Sequence, residues 1–160
     1  MIKIFIATIL FGLLSVVCIY NFVEPIEQIT EYYSKNLRGN LFSGFLTLGG
    51  FLFSLKTFII VKMKENVYDH CEYEKKLQKG KKLNPNMTHY GPLRRLSDML
   101  FYSVLLSIIT AALQLTIGLI PHWASALICI SFSVTTIFLL IWSLILIKQN
   151  MDDWFSFIEK

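Results

Sequence analysis

Acidic residues are missing from most of this 160-residue sequence. No Asp or Glu occurs in residues 1–23, 39–64 or 99–151, and charged residues make up only 16% of the chain. Soluble domains carry about 25% charged residues, so the few charges here are confined to short segments. Long acid-free stretches are typical of helices that cross a bilayer and are joined by charged loops. The composition therefore predicts an integral membrane protein.

Motifs for enzyme or metal chemistry are also missing. The three cysteines, Cys18, Cys71 and Cys129, have no metal or redox spacing, and we predict no disulfide. Cys71 with His70 and His89 lacks the spacing of zinc ligands. The sequence has no glycine-rich phosphate loop and no nucleophile–base pair. We therefore expect no cofactor, no metal and no enzymatic activity. Because no carboxylate lies in an apolar segment, we also expect no proton- or cation-coupled exchange.

Four apolar segments are long enough to form transmembrane helices. A hydrocarbon core of about 30 Å needs about 20 helical residues at 1.5 Å per residue. The first segment follows Lys3, as in a signal peptide, but no small-residue cleavage site follows it, so we expect an uncleaved anchor. The predicted fold class is all-α, one domain over 1–160. It is an integral membrane four-helix bundle with spans at about 2–23, 41–61, 99–120 and 123–147.

Basic residues are concentrated in one loop. Nine of the 15 Lys and Arg residues lie in 62–98, whereas 24–40 holds two basic and three acidic residues. Cytoplasmic loops of membrane proteins are enriched in Lys and Arg. We predict a multi-pass protein of the bacterial inner membrane, with both termini and the 62–98 loop in the cytoplasm. This topology explains the net charge of +4, and direct nucleic-acid binding is not expected because no motif for it is present.

The cytoplasmic loop has two predicted parts. Residues 62–78 lack Gly and Pro and pair Glu72 with Lys76 at i,i+4, which predicts that the second helix continues to about Gln78. Residues 80–91 contain Gly, Pro and Asn and are typical of a flexible connector. The C-terminal residues 151–160 are either an interfacial helix or the end of the fourth span.

Small residues recur along the second span. Spacings of 4, 3, 4 and 3 place five of them on one helix face, and we call this set the seam: Ser43, Thr47, Gly50, Ser54 and Thr57. The third span carries a similar stripe: Ser103, Ser107, Thr110, Gln114 and Gly118. Such stripes either pack against another helix or line a water-filled path, and packing is the commoner use.

Two larger polar side chains lie within the predicted spans. Lys56 comes six residues before Lys62, about 9 Å deep at 1.5 Å per residue. It either extends its ammonium group to the interface or faces a bundle interior or pore, where an intramembrane charge is usually functional. In the second case it would flank a path lined by the seam. Gln114 is too polar to leave in lipid and needs another helix or water as its partner.

The sequence supports two functional hypotheses. In the first, the chain forms a homo-oligomer around the second span that acts as a pore or a membrane sensor, with the seam, Lys56 and Gln114 at the pore or helix interface. In the second, it is a non-conducting scaffold that recruits a soluble partner through its basic loop. In either case the loop can bind an acidic cytosolic protein or anionic lipid headgroups through Lys75, Lys76, Lys79, Lys81, Lys82, Arg94 and Arg95.

The overall layout resembles that of small membrane components of bacterial antiphage systems. Four spans, short outer loops and a basic cytosolic segment, with YGPLRRLSD (90–98) as its most distinctive string, are similar to the membrane subunit of the Kiwa system. The resemblance implies an oligomer that reports infection to a soluble effector. It covers the whole chain as architecture, and it assigns no functional residue.

Overall fold

The structure is a computed structural model that describes residues 2–23, 25, 27–69, 73–74, 77–78, 81–82 and 88–158, without the side chains of 2–5, 66–67 and 153–158. Every regular element of the described residues is helical. The helices are α1 (Ile2–Phe22), α2 (Glu27–Tyr32), α3 (Arg38–Met63), α4 (Gly91–Leu115) and α5 (Trp123–Ile158). A π-helical turn follows α2 (Tyr33–Leu37) and another follows α3 (Lys64–Tyr68), and a 3-10 turn (Ile117–Leu119) follows α4.

In the described part of the chain, three helical segments are long and apolar enough to cross a membrane. They are Glu27–Met63, Gly91–Leu119 and Trp123–Asp152, and α1 contributes a shorter apolar stretch, Ile6–Phe22. The all-helical fold class is confirmed, and so is the length and apolar character of spans two to four. Crossing of the membrane by α1 stays a prediction. Helix α5 also continues to Ile158, so residues 151–158 of the C-terminal segment are the end of that helix.

Most of the predicted first loop is helical. The π-helical turn joins α2 to α3 without a break, so a helix runs from Glu27 through the predicted loop 24–40. Ile29 and Tyr33, four residues apart, are buried against the start of α5. One turn of helix also brings the Lys35 ammonium to 2.6 Å from the Glu31 carboxylate. Apolar packing and an i,i+4 ion pair both stabilise helix, so the second span begins well before residue 41.

The helices pack in the spatial order α3, α4, α5, α1. The main contacts are those of α3 with α4, α4 with α5, and α5 with α1, while α2 lies on α5. Three apolar clusters fill these contacts from one end of the bundle to the other. They contain, among others, Met63, Leu96, Leu100 and Ile147 near the basic loop, Phe45, Leu52, Val104 and Leu140 in the middle, and Ile29, Tyr33 and Leu127 at the far end.

The turn between α4 and α5 is closed by hydrogen bonds of its own residues. The His122 Nδ1 atom accepts a hydrogen bond from the backbone N–H of Ala124 at 3.1 Å. The Ser125 hydroxyl donates to the carbonyl oxygens of Ile120 and His122, at 2.6 Å each. The first N–H groups of a helix have no partner within it, so His122 acts as a cap for α5 in the described structure.

The ends of the basic loop are tied together by polar contacts of aromatic residues. The Tyr73 hydroxyl donates to the His89 carbonyl oxygen at 3.0 Å, and His89 Nε2 donates to the Tyr68 carbonyl oxygen at 2.7 Å. Tyr90 donates to Asp69 Oδ1 at 2.8 Å, and this bond raises the pKa of Tyr90 above its ordinary value. Residues 89–90 of the predicted connector are therefore packed, and 83–87 lie outside the described residues.

The continuation of the second helix to Gln78 is only partly described. The π-helical turn ends at Tyr68, and Asp69 is in a turn. Residues 73–74, 77–78 and 81–82 are helical, while Glu72 and Lys76, the pair that favoured this helix, lie outside the described residues.

Candidate functional site: the exposed seam and the buried polar core

The seam on α3 faces away from the rest of the bundle. Its five members, Ser43, Thr47, Gly50, Ser54 and Thr57, are all exposed. The opposite side of α3 is buried on α4 by a different set of residues: Phe45, Gly49, Leu52 and Met63. At 3.6 residues per turn the two sets lie on opposite faces of the helix. Among the described helices, therefore, none packs against the seam.

The seam hydroxyl groups form hydrogen bonds within their own helix. Thr47 donates to the carbonyl oxygen of Ser43 at 2.8 Å, and Ser54 and Thr57 donate to the carbonyl oxygens four residues earlier, at 3.3 and 3.4 Å. Ser43 donates to the carbonyl oxygen three residues before it, at 3.2 Å. These hydroxyls are satisfied without water or a second protein, so they can face lipid, water or another helix.

The exposed face is longer than the seam. Helical steps of four and then three residues back from Ser43 lead to Gly39 and Asn36 on the same side of the helix, and both are exposed. A Cβ atom added at Gly39 or Gly50 would have no atom within 4 Å. The continued spacing was the signal in the sequence, but it fell in a segment that was predicted to be a loop.

The stripe on α4 has nearly the same spacing as the seam, but its polar residues are buried inside the bundle, whereas those of the seam are exposed. Ser103, Ser107, Thr110 and Gln114 are each fully buried. The hydroxyl oxygens of Ser103 and Ser143 are 2.5 Å apart, and those of Thr110 and Thr136 are 2.7 Å apart. Hydrogen bonds between polar side chains of adjacent helices stabilise membrane bundles modestly, by about 0.6 kcal/mol on average. This stripe therefore joins α4 to α5 inside one chain.

Gln114 is the centre of a buried polar cluster. Its Nε2 donates to Ser133 Oγ at 3.1 Å and to the Cys129 carbonyl oxygen at 3.4 Å. Its Oε1 accepts a short hydrogen bond from the Tyr33 hydroxyl. Gly118 completes the cluster, since an added Cβ there would overlap the Tyr33 hydroxyl. The partner of Gln114 is therefore protein, and the bond to Tyr33 ties the segment before α3 to α4.

Lys56 lies on the side of α3 that faces α4. The side chain is half-buried, and its Nζ is 4.9 Å from the centroid of the Phe101 ring on α4. A cation over an aromatic face is stabilised by about 0.5–1 kcal/mol at exposed sites. The structure thus places Lys56, Gln114 and the seam in three different locations. It does not bring Lys56 beside a path lined by the seam, because Lys56 is on the opposite face of the helix.

The described basic residues of the loop are exposed. These are Lys62, Lys64, Lys81, Lys82, Arg94 and Arg95, while Lys75, Lys76 and Lys79 lie outside the described residues. Arg94 and Arg95 are the fourth and fifth residues of α4, between Leu93 and Leu96, which are buried. Cations near a helix N-terminus oppose the helix dipole, so the two arginines do not serve to stabilise this helix end. They are available to bind an anionic group.

Neither metal chemistry nor a relative identifies the chain. The described residues contain no group of three or more His, Cys, Asp or Glu placed to bind a metal ion. Comparisons with protein-family models, with curated proteins and with solved structures find no match. The features that bear on function are the placement of the seam, the polar core and the basic residues.

Proposed function

We propose that the chain is an inner-membrane protein that forms a homo-oligomer along the seam, and that this oligomer is a pore-forming or membrane-sensing component. One observation carries the proposal: a row of small residues on a membrane-length helix is turned away from its own bundle. The concentration of basic residues in 62–98 supports an orientation with this loop and both termini in the cytoplasm. The role in phage defence remains a prediction from the resemblance in layout.

The bilayer favours association of helices through faces of small residues. Apolar side chains gain little by leaving lipid for another helix, so small residues that allow close backbone approach drive helix association. From Gly39 to Thr57 the exposed face extends for 18 residues, about 27 Å at 1.5 Å per residue. This nearly equals the hydrocarbon thickness of about 30 Å. A second copy of α3 could therefore contact the seam across most of the membrane.

A conducting path, if the oligomer has one, would run between copies. Every buried side-chain nitrogen or oxygen of the described residues has a hydrogen-bond partner. The α4 stripe is fully buried and bonded to α5, so it is a packing contact within the chain. Among the described residues, only the seam combines Ser and Thr hydroxyl groups with exposure along a membrane-length helix. A sensor would use the same contact between copies without an open path.

Cysteine cross-linking tests the oligomer at neighbouring positions of the same depth. In a background lacking native cysteines (Cys18→Ser, Cys71→Ser, Cys129→Ala), we expect Thr47→Cys to form a disulfide-linked dimer in native membranes upon mild oxidation. Thr47 is on the seam, whereas the adjacent Leu48 is exposed off the seam. Leu48→Cys is therefore the matched control and should remain monomeric. Equal cross-linking at both positions, or none at Thr47→Cys, would contradict the proposed interface.

Ion flux in liposomes distinguishes a pore from a sensor. If the oligomer conducts, we expect Ser54→Leu to reduce flux strongly, because it places an apolar side chain on the proposed wall. Lys56→Ala should leave the selectivity of the pore between anions and cations unchanged, since Lys56 faces Phe101 on the side of α3 opposite the seam. A change of selectivity in Lys56→Ala would overturn this assignment of the wall. A cross-linked oligomer without flux would favour the sensor.

The scaffold hypothesis has one observation in its favour. Arg94 and Arg95 are exposed and adjacent near the N-terminus of α4, where their charge opposes the helix dipole. A pair of guanidinium groups is well suited to carboxylate or phosphate groups. A chain that stays monomeric in the cross-linking experiment and silent in the flux experiment would favour this function, with a soluble acidic protein as the partner.

A further inference from the structure

A groove runs along one side of the bundle between α1, α4 and α5. Its volume is about 370 Å³, and it is lined mainly by apolar side chains, including Ile9 and Leu13 of α1, Leu105 and Ile109 of α4, and Phe132 of α5. The groove exists because α1 packs chiefly on α5 and leaves room beside α4. Leu13, Leu105 and Ile109 are exposed, so the groove opens on the surface that lipid would cover.

The groove continues toward the turn between α4 and α5. A second groove of about 340 Å³ shares Leu13, Ser131 and Phe132 with the first and extends to Trp123. Along α5, the two grooves run from Thr135 to Trp123, which is 12 residues or about 18 Å at 1.5 Å per residue. Half of a hydrocarbon core of about 30 Å is roughly 15 Å. The continuous track therefore has the depth of one leaflet.

An open pocket whose lining includes charged and polar side chains lies at the end of this track. It has a volume of about 420 Å³, and its lining includes Glu27, Thr30 and Glu31 from α2 and His122 and Trp123 from the turn and the start of α5. Trp123 also lines the second groove. Glu31 is paired with Lys35, whereas no ion pair of Glu27 occurs in the described part of the chain. The apolar track thus leads to a cavity that offers carboxylate and indole groups.

We propose that this track binds one phospholipid with a primary ammonium headgroup, in the leaflet on the side of the turn between α4 and α5. An acyl chain fills the apolar groove, and the primary ammonium group lies against the Glu27 carboxylate beside the Trp123 ring. Carboxylate and aromatic groups both attract a cation, but only a primary ammonium, unlike choline, can also donate charge-assisted hydrogen bonds to a carboxylate. An apolar groove open to a bilayer is filled by lipid rather than by water. The inference rests on membrane insertion from the proposed function, and it does not require self-association.

Fluorescence quenching by brominated lipids tests the site. A variant with Trp142→Phe and Trp154→Phe retains Trp123 as its one tryptophan. It is reconstituted into phosphatidylcholine vesicles that contain a small fraction of brominated phosphatidylethanolamine or, separately, brominated phosphatidylcholine with the same acyl chains. We expect quenching of Trp123 to show an about two- to fivefold preference for phosphatidylethanolamine, the range expected of one exposed ion pair. Glu27→Gln should abolish this preference.

Two controls separate the lipid site from folding and from membrane insertion. Leu13→Phe fills the groove and should weaken quenching by both lipids, whereas Leu14→Phe, exposed on the same helix outside the groove lining, should not. A variant that retains only Trp142 should be quenched equally by the two lipids. Absence of quenching at Trp142 would reject membrane insertion and with it the proposed function. Equal quenching by the two lipids at Trp123, with Trp142 quenched normally, would reject this site alone.

Discussion

Replacing Gln114 with leucine should destabilise the protein by about 1–3 kcal/mol, the range for leaving one buried polar group without a partner. Gln114 and Tyr33 are both almost completely buried, and the Tyr33 hydroxyl donates to Gln114 Oε1. Leucine retains much of the volume but cannot accept this bond. The Ser133 hydroxyl keeps its bond to the Cys129 carbonyl oxygen at 2.8 Å. The Cys129 sulfur, which also contacts the Tyr33 hydroxyl, is only a weak acceptor, so most of the loss falls on Tyr33. The measurement is the free energy of unfolding in detergent micelles.

A second substitution identifies the cause of that loss. Adding Tyr33→Phe to Gln114→Leu removes the hydroxyl that has lost its Gln114 acceptor. Replacing both partners of a buried hydrogen bond with apolar groups can be nearly neutral. We therefore expect the double variant to be more stable than Gln114→Leu alone. If the two substitutions destabilise additively, the bond between α4 and the segment before α3 is not the source of the effect, because independent sites add.

Gly12→Val should weaken the packing of α1 on α5. A Cβ atom at residue 12 would overlap Thr135 Oγ1 and would lie 3.0 Å from the backbone carbonyl oxygen of Ser131. The threonine side chain can rotate away, but the carbonyl oxygen belongs to helix α5 and cannot. Overpacking of this kind destabilises by about 1–3 kcal/mol. The free energy of unfolding, and energy transfer between labels on α1 and α5, would measure the loss.

Gly44→Val is the matched control for this effect. Gly44 is also in a helix, and an added Cβ there would have no atom within 4 Å. Substitutions at such surface positions usually change stability by less than about 0.5 kcal/mol. If Gly12→Val and Gly44→Val behaved alike, the result would show that close approach of α1 to α5 is not needed for stability. The difference between the two variants therefore tests whether α1, whose membrane crossing is a prediction, packs closely on α5.

The sequence by itself determined where the long apolar helices lie. Acid-free runs locate α3, α4 and α5 because a segment that crosses lipid must be apolar over the thickness of the membrane. Pro92 fits the start of α4 because its missing N–H would have no partner in the first turn of a helix. The spacing of Ser43 to Thr57 also correctly placed small residues on one face of α3. Periodicity reports the face of a helix, since it follows from the backbone geometry alone.

Only the tertiary structure decided what each face contacts. The seam and the α4 stripe have nearly the same spacing, yet Thr47 is exposed and Thr110 is fully buried, because α4 has helices on both sides and α3 has one. Lys56 lies over Phe101 because it is on the face of α3 that packs on α4. Residues 27–40 became helical through the burial of Tyr33 on α5, since a short polar segment is only marginally helical without tertiary packing. A sequence pattern records which residues share a surface, whereas the neighbour on that surface is set by residues distant in the chain.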